Sequence, residues 1–107
     1  MLIPEHDWRV LRSVHRSALD RYCSRVLDEC VATIQRADLS AHDRYLKLYT
    51  LLKERDKSLA AAFDDLRRST ALQRLAAMIA LRVVTDQELS QFSVATRDAA
   101  RMLADLG

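Results

Sequence analysis

Two residue types that bend or lock a backbone are almost missing from this 107-residue chain, which has one proline and one glycine. Pro4 and Gly107 stand at its ends, and everything from Glu5 to Leu106 lacks both. Hairpins and tight turns lean on these residues, whereas helix interiors exclude them. The sequence therefore predicts an all-α chain. The same absence removes the loops that cradle phosphate, because Walker and dinucleotide motifs need glycine where backbone approaches the ligand. A dominant charge is lacking too: the net charge is +2, too small for a strong field toward nucleic acid or anionic lipid. Long apolar runs are missing. The richest, Leu75 to Val84, is interrupted by Arg82 and falls far short of the ~20 residues that cross a bilayer, so no membrane association is expected.

Cysteine is scarce, with Cys23 and Cys30 only. Seven residues on a helix separate them by ~10 Å along the axis, beyond the ~7 Å Cα separation that a disulfide tolerates. They read as buried free thiols of a reducing compartment. The N-terminal Met-Leu-Ile-Pro-Glu-His-Asp has no basic region and apolar stretch of a signal peptide. A cytoplasmic location is expected.

What the chain does contain is a globular balance of 50% hydrophobic and 30% charged residues, rich in the helix formers Ala, Leu and Arg. Arginine far outnumbers lysine, as in proteins of GC-rich bacterial genomes. The length predicts a single helical domain over 1–107. A chain of this size buries only ~65% of its unfolded surface, so association is an economical way to bury more.

Helical periodicity orders the elements. Pro4 suits the start of a first helix, with Glu5 and Asp7 favourable at its positive end. Apolar positions then recur at Trp8, Leu11, Val14, Ala18, Leu19, Tyr22, Cys23, Val26, Leu27, Cys30, Val31 and Ile34, at three- and four-residue steps that give a broad stripe. A break over 37–41 offers Ser40 as N-cap and Asp43 as a variant capping-box partner. A second helix comes next, with Tyr45, Leu48, Tyr49, Leu52, Leu59, Phe63 and Leu66 on one face. Short linkers between long helices imply an antiparallel hairpin. Thr70 with Gln73 suggests a cap for a third helix over 71–84, apolar around most of its circumference, although the second and third helices could also run on as one. Thr85-Asp86-Gln87-Glu88 is a capping box, stapled by Val84 and Leu89. Ser93 caps a last helix. The expected fold is thus a long helical hairpin followed by two or three shorter helices, bundle-like. An unbroken first helix of about 32 residues would be ~48 Å long, more than the shorter helices can cover. Either a long helix kinks or a second copy packs on the hairpin, and the dimer is the preferred expectation.

Catalytic and metal chemistry finds no constellation. His6, His15 and His42 are preceded three residues earlier by Ile3, Arg12 and Leu39, not by the Glu of a di-iron bundle, and no metal or cofactor is expected. His15 lies on the first helix's apolar stripe and reads as a core-edge histidine. Two turns of helix separate it from Cys23, too far to activate a thiol. The carboxylate pairs Asp28-Glu29 and Asp64-Asp65 have arginines at helical spacing (Arg25, and Arg67 with Arg68), which predicts surface ion pairs. The same holds for Glu5 with Arg9, Arg16 with Asp20, Asp64 with Arg68 and Arg101 with Asp105.

The expected function is accordingly a protein-interaction or regulatory module, not an enzyme, acting through a helical surface as a homodimer or with a protein partner. The candidate interface is Tyr45, Tyr49, Leu52, Arg55, Asp56 and Leu59 on the second helix. Arg55 and Asp56 interrupt the stripe between Leu52 and Leu59, where seam charges can set partner choice. Val10 and Leu46 lie off their stripes. The alternative is a DNA-binding regulator. Residues 85–103 resemble a helix-turn-helix in outline, with Thr96, Arg97 and Arg101 as nucleic-acid contacts. The turn there reads Phe92-Ser93-Val94, without the usual glycine, and aromatics do not interleave with the basic residues.

Overall fold

Without a helix breaker after Pro4, residues Glu5–Ile34 form one uninterrupted helix, α1, of 30 residues. At 1.5 Å per residue it is ~45 Å long. The computed structural model describes residues 2–106, and α1 sets their shape: the extents are 52 × 22 × 21 Å. The radius of gyration is 16.3 Å, against ~13 Å for a compact chain of this length. The chain then turns at 35–40 into α2, Ala41–Phe63. Ser40 caps α2 by accepting the Asp43 amide at 3.1 Å, and the Arg44 guanidinium donates back to the Ile34 carbonyl at the end of α1. The two helices run antiparallel, without a kink to shorten the hairpin.

Three short helices complete the chain: α3 (Ala71–Ala80), α4 (Asp86–Leu89) and α5 (Val94–Leu106). They pack against one flank of the hairpin at the end opposite its tip. Together with Ile3 they form the core, in which Leu11, Val14 and Ala18 of α1 meet Ala62 and Phe63 of α2. Leu72, Leu75 and Met78 of α3, and Leu89, Phe92 and Ala100 beyond it, complete that core. The all-α hairpin with shorter trailing helices is the architecture expected. No helix among the described residues is long and apolar enough to cross a membrane.

Several local expectations change. The third helix stops at Ala80, not Val84. Its end is a Schellman arrangement: the Val83 amide reaches back to the Met78 carbonyl and the Arg82 amide to Ile79, while Arg82 takes a left-handed φ of 59°. That conformation normally calls for glycine. Thr70 does not cap α3. A 3₁₀ turn, Arg68–Thr70, leads into the helix, and the Thr70 hydroxyl instead donates to the Asp65 carbonyl and accepts the Arg67 amide. This settles the break between the second and third helices. The capping box at Thr85 forms as read: the Glu88 amide donates to Thr85 Oγ1 and the Thr85 amide to Glu88 Oε1.

The ion pairs are also redistributed. Among the described residues, of the ion pairs read from spacing only that of the Asp64-Asp65 couple with Arg67 forms, as Asp65–Arg67 at a two-residue step after α2; Glu5 instead meets Arg68 and Glu29 meets Arg55. Arg25 ignores both neighbouring carboxylates and donates to the Leu81 and Arg82 carbonyls. Arg21 donates to Val83 and grips Glu88 through two bonds of 2.7 Å. Carbonyls left over where α3 ends need donors, and two arginines of α1 supply them.

Candidate interaction face of the helical hairpin

Along its 23 residues, α2 buries only its last two, Ala62 and Phe63. The stripe read from the sequence divides between two directions. Residues Leu48, Leu51 and Leu59 turn partly inward toward α1. Tyr45, Tyr49 and Leu52 lie one position round and stay 67%, 60% and 46% exposed. On α1 the apolar set divides likewise: Val26 and Cys30 are buried, whereas Leu27, Val31 and Ile34 are exposed. At 100° per residue, Leu27 and Ile34 of α1 and Tyr45, Tyr49 and Leu52 of α2 share one side of the hairpin. That side faces away from α3, α4 and α5. Leu46, also exposed, lines the opposite side with Glu29 and Thr50, while Val10 is half-buried against the core.

Grooves between the helices mark the same side. Cys23, Val26, Leu27, Leu52, Asp56 and Leu59 line one of 230 Å³, below the ~300–1,000 Å³ of ligand pockets. It is sized for a side chain from a facing helix. Nearer the tip, Ile34, Tyr45 and Leu48 line another.

Of the six residues expected at the interface, Tyr45, Tyr49, Leu52 and Asp56 are exposed on this face and Leu59 is half-buried at its edge. Arg55 is half-buried and lines the same groove. It turns into the hairpin, where Nη2 meets Glu29 Oε2 at 2.9 Å and its backbone carbonyl accepts the Tyr22 hydroxyl. An arginine's reach lets it bond across the hairpin from a position beside the seam, and Glu29, one turn beyond Val26, offers the partner. The hydrogen bonds to Glu29 raise the Arg55 pKa above its ordinary value.

The nucleic-acid set fares differently. Thr96 is 1% exposed and donates its hydroxyl to Asp7, so it cannot reach a base edge. Arg97 is half-buried and Arg101 exposed on α5, while α4 is a single turn of four residues. Asp7, read only as a helix-end charge, is fully buried and accepts the Ser93 amide at 2.9 Å, the Ser93 hydroxyl and the Thr96 hydroxyl. It caps α5 from across the molecule. Burial pushes its carboxyl up, but the hydrogen bonds from Ser93 and Thr96 outweigh that and hold it below the ordinary value. His15 is the core-edge histidine expected: its Nε2 meets the Phe63 carbonyl at 2.9 Å and its ring stands edge-on to Phe63. A separation of 86 residues between Asp7 and Ser93 leaves no local signal by which sequence could pair them. Among the described residues no cluster of three or more His, Cys, Asp or Glu is placed to hold a metal.

Compared with protein-family models, with curated proteins and with solved structures, the chain matches none of them.

Proposed function

We propose that this protein is a helical interaction module that docks through the uncovered side of its α1–α2 hairpin, and that its own second copy is the partner. One observation carries the reading: a 23-residue helix buries only its last two residues yet presents two tyrosines and a leucine in line. Contiguous apolar surface of this kind marks an interaction site on a soluble protein. Its spacing gives a second support. Tyr45, Tyr49, Leu52, Asp56 and Leu59 alternate steps of four and three, the repeat of a helix seam. The Asp7–Thr96 bond withdraws support from the nucleic-acid alternative.

Sedimentation equilibrium tests the proposal, with twice the chain mass expected at micromolar concentration. Leu52 is half-exposed in the protomer, so truncation to Ala forfeits about 1 kcal/mol of further burial per copy. Counted twice in a symmetric dimer, this raises Kd about thirtyfold. Leu59→Ala weakens association in the same direction. A monomeric mass at high concentration overturns the proposal.

A further inference from the structure

Four residues of α2 line the groove on the open face: Leu52, Arg55, Asp56 and Leu59. Their spacing, i, i+3, i+4 and i+7, is that of the hole which receives one side chain from a facing helix. Asp56 brings a carboxylate to this hole that is exposed and forms no ion pair among the described residues. A side chain entering there must bury an apolar body and bring a donor, since an enclosed carboxylate needs a hydrogen bond. Tyrosine meets both needs, and its own hydroxyl needs a partner once buried. The open face carries two, Tyr45 and Tyr49. The Tyr22 hydroxyl is already bonded to the Arg55 carbonyl, whereas those of Tyr45 and Tyr49 are without a partner among the described residues.

We infer that Tyr49 of a second copy fills this hole and donates its hydroxyl to Asp56, the two α2 helices packing antiparallel about a two-fold axis at Leu52. This rests on the self-association proposed above and names its central contact and orientation. A two-fold interface makes each contact twice. Antiparallel packing about Leu52 brings together α2 residues whose numbers add to about 104 or 105. Tyr49 then meets Asp56, Tyr45 meets Leu59, and Leu52 meets its own counterpart. Every member of the stripe finds an opposite member, and all five lie within about 80° of arc on the open face. Sliding the helices by one step, to a sum of about 101, sets Leu59 against His42 instead. An axis along the hairpin, with tips together, keeps every residue at its own height and sets groove against groove. Tyr22 reaches Arg55 and His15 reaches Phe63, so the α1 residue level with the hole is then Cys23, itself part of the groove's wall. Both Asp56 carboxylates would border one hollow without a donor.

A double-mutant cycle on Kd, measured by sedimentation, tests the contact. Tyr49→Phe removes only the hydroxyl, and the loss, counted in both copies, raises Kd at least about tenfold. In an Asp56→Leu background the same substitution no longer weakens association, because no carboxylate awaits the hydroxyl. A nitroxide on Arg9→Cys, in a Cys23→Ser, Cys30→Ala background, reads the orientation by pulsed EPR. Counted along α1 from the level of Leu52, antiparallel copies hold the two labels about 50 Å apart. Tips together, the labels lie across one helix-packing layer, below about 30 Å. A dimer whose Kd ignores Tyr49→Phe, or is weakened equally in both backgrounds, overturns this contact and leaves self-association standing. So does a coupling of Asp56 to Tyr45→Phe in place of Tyr49→Phe, or the short label distance. A monomer overturns both.

Discussion

Asp7 holds the start of α5 with a buried carboxylate that accepts three hydrogen bonds from Ser93 and Thr96. Replacing it with Ala strands the half-buried Ser93 amide and two hydroxyls. Hydrogen bonds to charged groups contribute about 1.5–3 kcal/mol each, not additively, so urea denaturation should report a loss of about 3 kcal/mol. Asp7→Asn keeps the shape and should cost about half as much. The lowered carboxyl pKa also sets a pH signature. A group whose folded pKa lies below its unfolded value, near 3.9, stabilises fully above that value and ceases to as pH falls through the folded pKa. Glu88, depressed chiefly by its hydrogen bonds to Arg21, acts in the same sense. Stability should therefore be flat from about pH 5 upward and fall below about pH 4, with a shallower fall in Asp7→Asn. Equal acid slopes for the parent and Asp7→Asn would contradict the assignment. None of this was legible locally: Asp7 looked like a helix-end charge because its partners stand 86 and 89 positions away.

At the scale of elements, the caps that use neighbouring residues were readable and the ends that use distant ones were not. Ser40 accepts the Asp43 amide without a return bond from the Asp43 side chain, and Thr85 with Glu88 forms both halves of its box, because a capping side chain bonds an amide three residues on. The end of α3 was misplaced by four residues, at Val84 where the helix stops at Ala80. Its stop depends on Arg82 entering the left-handed region, an uncommon place for a residue with a Cβ, while Arg21 and Arg25 of α1 take up the freed carbonyls. The left-handed region costs such a residue roughly 1–2 kcal/mol, and glycine's greater freedom in the unfolded chain returns up to ~1 kcal/mol of that. Arg82→Gly should thus stabilise the protein by a few tenths to about 1 kcal/mol, read as a higher urea midpoint at unchanged m-value. Thr85→Ala should cost about 1 kcal/mol, and more if Glu88 then releases Arg21. The pair of Arg55 and Glu29 is about one-third exposed on both sides; Arg55→Met should change stability by less than about 1 kcal/mol.

For the whole molecule, the decisive feature is an unequal distribution of core. Buried residues crowd the head, where α3 to α5 cover the hairpin, and the tip half retains only Tyr22, Val26 and Cys30 among the described side chains that are buried. Self-association would couple the tip's stability to concentration, since anything that binds only the folded state raises apparent stability by mass action. Thermal midpoints should rise with protein concentration in the parent and not in Tyr49→Asp with Leu52→Asp. Asp56 is the one acidic group within the stripe. Enclosed by a second copy, it would cost affinity while restricting register. Asp56→Leu should accordingly tighten the dimer, seen as a lower Kd by sedimentation.

Sequence alone determined the class of structure, the long hairpin and most helix starts. A chain without interior glycine or proline has little choice but helix, and periodicity and capping act within a few residues. It could also name the apolar stripe of the second helix, but not which part of that stripe lies inside. Tertiary structure decided that division. Adjacent helical positions differ by only about 100°, so whether Leu48 or Tyr49 is covered depends on where α1 and α3 come to rest. The same packing sent Arg55 into the hairpin, drew Thr96 into the core beside Asp7, and left one side of the two long helices open.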